Sequence, residues 1–170
     1  MPFLKRESLN GATPDPALAR LLPVPITADR DIAQLLATTR TIAVVGASAN
    51  PQRPSHRVLD FLIAAGYEVF PINPGIAGSA ICGRTVYASL DDVPAPIDLV
   101  DVFRQPQYLS GIVDQAIAVG ARAVWGQLGV VDEQAAVRAE ASGLQVVMDR
   151  CPAIELPRLR EAGLLDSTPG

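Results

Sequence analysis

TIAVVGASANPQRPS, residues Thr41–Ser55, begins as an unbroken apolar run rich in β-branched side chains and ends in a polar loop. Such a run predicts a β-strand covered on both faces, because a half-exposed strand would alternate. Just beyond the loop, Ser55–Ala65 sets Val58, Leu59, Leu62 and Ile63 at helical spacing, with Gly66 as the C-terminal stop. YEVFPIN (Tyr67–Asn73) is the next strand, which completes one β-α-β unit. The alternation continues. TVYA (Thr85–Ala88) predicts a short edge strand, Ser89–Val93 one capped helical turn, and IDLVDVF (Ile97–Phe103) a further strand. Gln107–Val119 predicts a helix ending at Gly120, and ARAVWGQLG (Ala121–Gly129) a strand with its loop. Asp132–Ala141 predicts a helix capped by Asp132 and stopped by Gly143, and LQVVMD (Leu144–Asp149) the last strand. Pro157–Ala162 predicts a terminal helical segment.

Four β-α-β steps with short joins specify an α/β fold, a doubly wound parallel sheet of Rossmann-like type forming a single three-layer domain. Right-handed crossovers place Thr41–Gly46 in the middle, with Tyr67–Asn73 and then the TVYA edge on one side and the three later strands on the other. The winding direction reverses between Thr41–Gly46 and Ile97–Phe103. Ligands of such sheets sit beyond the carboxyl ends of the strands at that reversal. The segments to watch are therefore Gly46–Ser55, Pro71–Pro74, Phe103–Gln105, Trp125–Gln127 and Arg150–Pro152.

The flanks differ. Residues 1–28 hold five prolines and no sustained period and read as an N-terminal extension. Residues 29–40 read as a lead-in helix, with Ile32, Ala33, Leu35 and Leu36 on one face and Thr27 or Asp29 able to cap its start. Residues 41–160 make the domain, and 161–170 a C-terminal tail. A length of 170 residues suits one such domain.

Composition narrows the function. Apolar residues make up 49% and charged residues 19%, enough to build a core and exclude overall disorder. A net charge of −4 argues against a nucleic-acid partner. The chain has neither a membrane-length apolar run nor a basic, hydrophobic leader, so a soluble cytoplasmic protein is expected. His56 is the only histidine, and Cys82 and Cys151 lie far apart, which removes a structural zinc site and a disulfide framework. Lys5 is the only lysine, so the lysine-bearing phosphate loop of nucleotide hydrolases is excluded; no G-x-S-x-G elbow exists either.

The first loop, GASANPQRPS (Gly46–Ser55), departs from a dinucleotide fingerprint. Its second glycine is replaced by Ser48, no glycine follows until Gly66, and the strand after it ends in Asn73-Pro74 instead of an acid for the ribose. Both departures count against NAD. Gly46 still permits a tight turn, Ser48 offers a hydroxyl, and the helix beginning at Ser55 presents free N–H groups to an anion beside Arg53. That combination is an anion-binding loop, with a nucleotide as its natural ligand. Taken singly, GAS is also an ordinary strand-end turn and Arg53 an ordinary surface charge.

GASANPQRPSHRVLDFL, GYEVFPINP, SLDDVP, DLVDVFRQP, GARAVWGQLG and VVMDRCPAIE follow one another as in the small stand-alone bacterial CoA-binding proteins, which the chain resembles over about Thr41–Leu159. These are similar to the CoA-binding domain of the succinyl-CoA synthetase α subunit. The resemblance implies a CoA or acyl-CoA ligand. It puts Gly46, Ala47 and Ser48 at the CoA phosphates, Arg53 flanking them beside Ser55, and Asn73 and Pro74 beside the nucleotide. It further puts Val102, Phe103 and Arg104 on the adenine side, Trp125, Gly126 and Gln127 where the synthetase loop meets the cofactor, and Cys151-Pro152 at a matching Cys-Pro step. Binding without catalysis is the expected role, because the synthetase's phosphorylated histidine belongs to a further domain. The alternatives are acyl-CoA handling or thiol-redox chemistry at Cys151, or a different nucleotide such as NAD.

Each residue also has a plain structural use. Phe103 and Trp125 suit a core, Arg104 a surface, Cys151 an inert small apolar site, and His56 a capping or exposed position. Asp91-Asp92 and Asp98…Asp101 read as helix-start and strand-flank charges, not a metal pair. No protein partner is indicated.

Overall fold

A computed structural model describes residues 25–166. Twelve elements follow in chain order: α1 (Asp29–Thr38), β1 (Thr41–Val45), α2 (Pro54–Ala64), β2 (Glu68–Ile72), β3 (Ala80–Ile81), β4 (Arg84–Thr85), β5 (Leu99–Val102), α3 (Leu109–Ala118), β6 (Ala123–Gly126), α4 (Glu133–Ala141), β7 (Gln145–Val147) and α5 (Pro152–Glu161). Five strands form one parallel sheet in the order β2-β1-β5-β6-β7. The apolar runs explain their own placement. Ile42, Ala43 and Val44 of β1 and Leu99, Val100 and Val102 of β5 are completely buried, since helices cover both faces. Burial of one such aliphatic side chain contributes roughly 1.5–3 kcal/mol.

On one face α1, α2 and α5 bring Ile32, Leu36, Leu59, Leu62, Leu156 and Leu159 against Ile42, Val44, Leu99 and Trp125. On the other, α3 and α4 pack Leu109, Val113, Ala135 and Ala139 against Ala43, Val100, Val102 and Val124. Gly66, Gly120 and Gly143 end their helices at φ +100°, +71° and +88°, the left-handed region that glycine enters without strain. Asp132 caps α4, its side chain accepting from Ala135 N at 3.0 Å.

Four local expectations are corrected. TVYA is not a sheet strand: Thr85 belongs to the antiparallel β3–β4 hairpin, and only Tyr87 reaches β2, through one bridge to Ile72. The edge strand is therefore β2, where Pro71 is tolerated because its backbone faces away from β1, toward Tyr87 N at 2.9 Å. The lead-in helix starts after Ala28 with no side-chain cap. Asp29 instead takes both Nη atoms of Arg158, at 2.7 and 2.8 Å, tying α1 to α5 and holding its own carboxyl below the usual range. The terminal helix begins at Pro152, not Pro157, because either proline suits a first-turn position and the earlier start buries Leu156 against α1 and α2. Asp101 is no flanking charge; it is fully buried. Most of the proposed N-terminal extension and the end of the tail lie outside the described residues. Among the described residues no helix is long and apolar enough to cross a membrane.

Candidate functional site

The loops after β1, β2 and β5 and the start of α3 enclose a cleft of about 900 Å³ at the predicted reversal of winding. Gly46 makes its floor. Its φ of +86° is left-handed, and a Cβ there would lie 3.0 Å from Phe103 O and 3.3 Å from Arg104 Cδ, so glycine is required twice over. Gly46 N and Ala47 N both donate to Ile72 O, at 3.1 and 3.2 Å, which anchors the loop to β2. Ser48 Oγ accepts from Asn50 N at 3.1 Å and keeps its own hydrogen to donate. Pro54 opens α2, as suits a position whose amide would find no intrahelical partner, and Ser55 is buried in that first turn.

Asn73 has a different use from the expected ligand contact. Its Nδ2 donates to Ala47 O at 2.8 Å while its Oδ1 accepts from Gly75 N at 2.9 Å, so the side chain ties the first loop to the end of β2. Across the cleft, Arg104 runs its stem over Gly46 and stacks its guanidinium on Tyr108, 4.3 Å from the ring centroid. Neither Arg53 nor Arg104 makes an ion pair among the described residues. Among the described residues the cleft lining contains these two arginines and no Asp or Glu. In a chain of net charge −4 that is a local positive pocket, and it fits an anion.

Nine of the expected residues gather at this cleft: Gly46, Ala47, Ser48, Arg53, Ser55, Asn73, Pro74, Phe103 and Arg104. The other four do not line it. Val102 packs under α3, and Trp125 is wholly buried with Nε1 donating to Arg150 O at 2.7 Å. Gln127 Nε2 donates to Asp101 Oδ1 at 2.7 Å, and Asp101 Oδ2 finds no partner. Burial pushes the Asp101 carboxyl up to about 7, against the opposing Gln127 hydrogen bond. Cys151 stands at the start of α5 in reach of Gln127 and Asp101, its thiol raised chiefly by burial and lowered by the Ala153 and Ile154 amides. These groups form a sealed polar corner, separate from the cleft.

Gln105, inside the expected Phe103–Gln105 segment, lines the cleft, as do Tyr108 and Ser89, which were in no expected segment. The sequence signal for Tyr108 was Pro106, which makes a single 3-10 turn (Pro106–Tyr108) before α3 and swings the ring back over Arg104. A second hollow of about 530 Å³ follows the edge of β2 near Tyr67–Phe70 and Arg84, away from the first loop.

Residues 40–157 match the model of the CoA binding domain. The chain belongs to this CoA-binding domain family. Within it, the uncharacterized protein YneT of Bacillus subtilis (strain 168) is 37% identical over 121 residues, 71% of this chain and 88% of that protein. The solved structure of a hypothetical protein from Pyrococcus horikoshii OT3 superposes with a TM-score of 0.76 at 37% identity, covering 81% of this chain and 96% of that one. The α subunit of ADP-forming acetate–CoA ligase I from Pyrococcus furiosus is 25% identical over 128 residues. That match takes in 67% of this chain and only 28% of the ligase subunit, so the CoA-binding domain is similar to one portion of a longer protein.

Proposed function

We propose that this CoA-binding domain protein binds coenzyme A or an acyl-CoA at the cleft and performs no chemistry there. The observation that carries the reading is that, among the described residues, the lining is acid-free and neither Arg53 nor Arg104 makes an ion pair. The diphosphate sits against the amide of Ser48 and the start of α2, the arginines take phosphate oxygens, and Phe103 offers apolar surface for adenine. Among the described residues the lining holds no cysteine, histidine or carboxylate to act as nucleophile or proton carrier, which supports binding over catalysis. It also lacks the acid that would hold the ribose diol of NAD. Two free cysteines suit a reducing compartment, in keeping with a cytoplasmic protein.

Calorimetry of the full chain with CoA, dephospho-CoA and NAD tests this directly. CoA is expected to bind tightest, with dephospho-CoA weaker by about tenfold for the loss of one charge-assisted phosphate contact. NAD binding as tight as CoA, or no heat with CoA, would overturn the reading.

A further inference from the structure

Beside the first loop, but outside the cleft lining, a thiol and an imidazole face each other. His56 Nδ1, on the first turn of α2, lies 2.9 Å from Ser48 O. A carbonyl oxygen only accepts, so Nδ1 carries the hydrogen and the neutral ring keeps its lone pair on Nε2. That nitrogen is 3.5 Å from Cys82 Sγ. Cys82 opens the two-residue turn between β3 and β4 at φ +48°, with Gly83 following at +75°. Two positive φ values in succession make a turn that ordinarily favours Asn, Asp or Gly first. Cysteine is an uncommon choice there, and its sulfur meets the only histidine of the chain. Asp60, one turn along α2 from His56, also faces the thiol, and burial together with Asp60 pushes the thiol up. The resting pair is therefore a protonated thiol beside a base.

We propose that Cys82 is a site of thiol–disulfide exchange with small disulfides, that His56 Nε2 is its proton acceptor, and that the modification is transmitted to the anion loop through Ser48. As Sγ attacks one sulfur of a disulfide RS–SR, its proton passes to Nε2. The Cys82 S–SR bond forms and the RS–SR bond breaks. The departing thiolate then recovers the proton from the imidazolium as RSH. One thiol is oxidised and one released, so no further oxidant is needed. The added group stands where Cys82 meets His56, and displacing that ring breaks its hold on Ser48 O. Cys151, 7% exposed under α5, is shielded from the same reagent.

The link to the loop rests on the CoA reading, whereas the exchange itself does not, and the experiment separates them. The full chain is mixed with dithiodipyridine and thiol release followed in time. One fast thiol is expected, absent in Cys82→Ser and retained in Cys151→Ser. His56→Asn keeps a donor for Ser48 O and removes the base. It should slow the fast thiol at least about tenfold and change the shape of the pH–rate profile. A fast phase that survives Cys82→Ser, or an unchanged rate and profile in His56→Asn, would overturn the proposal. Calorimetry before and after labelling of Cys82 in the Cys151→Ser chain completes the test, with CoA affinity expected to fall about tenfold or more. Equal affinity would overturn the link to the loop. An unlabelled chain that gives no CoA heat would sink the CoA reading and leave the exchange to stand on its kinetics.

Discussion

Two polar regions lie at the carboxyl ends of the strands, and they are built on opposite plans. The cleft over β1 and β5 is open, and among the described residues its lining is acid-free and its arginines make no ion pair. The corner where β5 and β6 meet the start of α5 is closed; the buried Asp101 holds Gln127 there and leaves an oxygen unpaired among the described residues. The difference comes from the helices. α2 begins at the rim and points its first turn into the cleft, whereas α5 returns over the sheet beside α1 and α2 and seals what lies beneath it. A strand's carboxyl end is thus a place where a site can form, and the following segment decides whether it stays open.

Removing the charge from each region should separate them most sharply. The double variant Arg53→Ala/Arg104→Ala is expected to lose about 3–6 kcal/mol of CoA binding, taking two charge-assisted contacts at about 1.5–3 kcal/mol each. Its thermal unfolding should stay close to that of the unaltered chain, because both arginines are exposed and make no ion pair among the described residues. Calorimetry and a melting curve on the same sample decide it. A variant that keeps its affinity breaks the assignment of the cleft as the anion site.

Asp101→Asn is the matching change in the corner, and its effect should fall on stability alone. The carboxyl lies near 7 in the folded chain and near 3.8 when unfolded. Between those values the folded chain holds a proton that the unfolded chain releases. Stability is therefore fullest below about pH 4, declines as pH rises toward 7, and levels off above it. Asparagine keeps the shape and the acceptor for Gln127 without ionising. At pH 8 it should exceed the native residue by on the order of 4 kcal/mol, at about 1.4 kcal/mol per pKa unit, and by little at pH 4. Urea unfolding at several pH values measures this. A variant with the same pH dependence would show that Asp101 does not ionise in that window. CoA affinity should not move.

The parts of the molecule legible in the sequence are those set by neighbours along the chain. The apolar runs of β1 and β5 and the stops at Gly66, Gly120 and Gly143 need no distant partner to be understood, and they settle the alternation of strands and helices. Gly46, Ser48 and Arg104 were legible for the same reason, since each lies within a few residues of a strand end, and Arg53 because it directly precedes the proline that opens α2. What stayed hidden depends on contacts made across the chain. Asp101 reads like any strand-edge acid until Gln127, 26 positions later, meets it. Asp29 reads like a cap until Arg158, 129 positions later, claims both its oxygens. Trp125 and Cys151 occupy the same kind of position as Phe103, and only the return path of α5 distinguishes covered from open.

Tyr108 offers the finest test of the contrast, because it is the one aromatic side chain in the cleft that is largely exposed. It is 46% exposed, where Trp125 is wholly buried and hydrogen-bonded. Its ring holds Arg104 by a cation–π contact at 4.3 Å, which is worth roughly 0.5–1 kcal/mol at an exposed site. Tyr108→Leu keeps apolar bulk and removes the negative ring face, so Arg104 loses its support while the wall of the cleft remains. CoA affinity should fall by about twofold to fivefold, and most of that loss should vanish in an Arg104→Ala background, since the ring then has no guanidinium to hold. A loss that persists undiminished without Arg104 would mean the ring contacts the ligand directly and would move Tyr108 from a positioning role to the adenine wall.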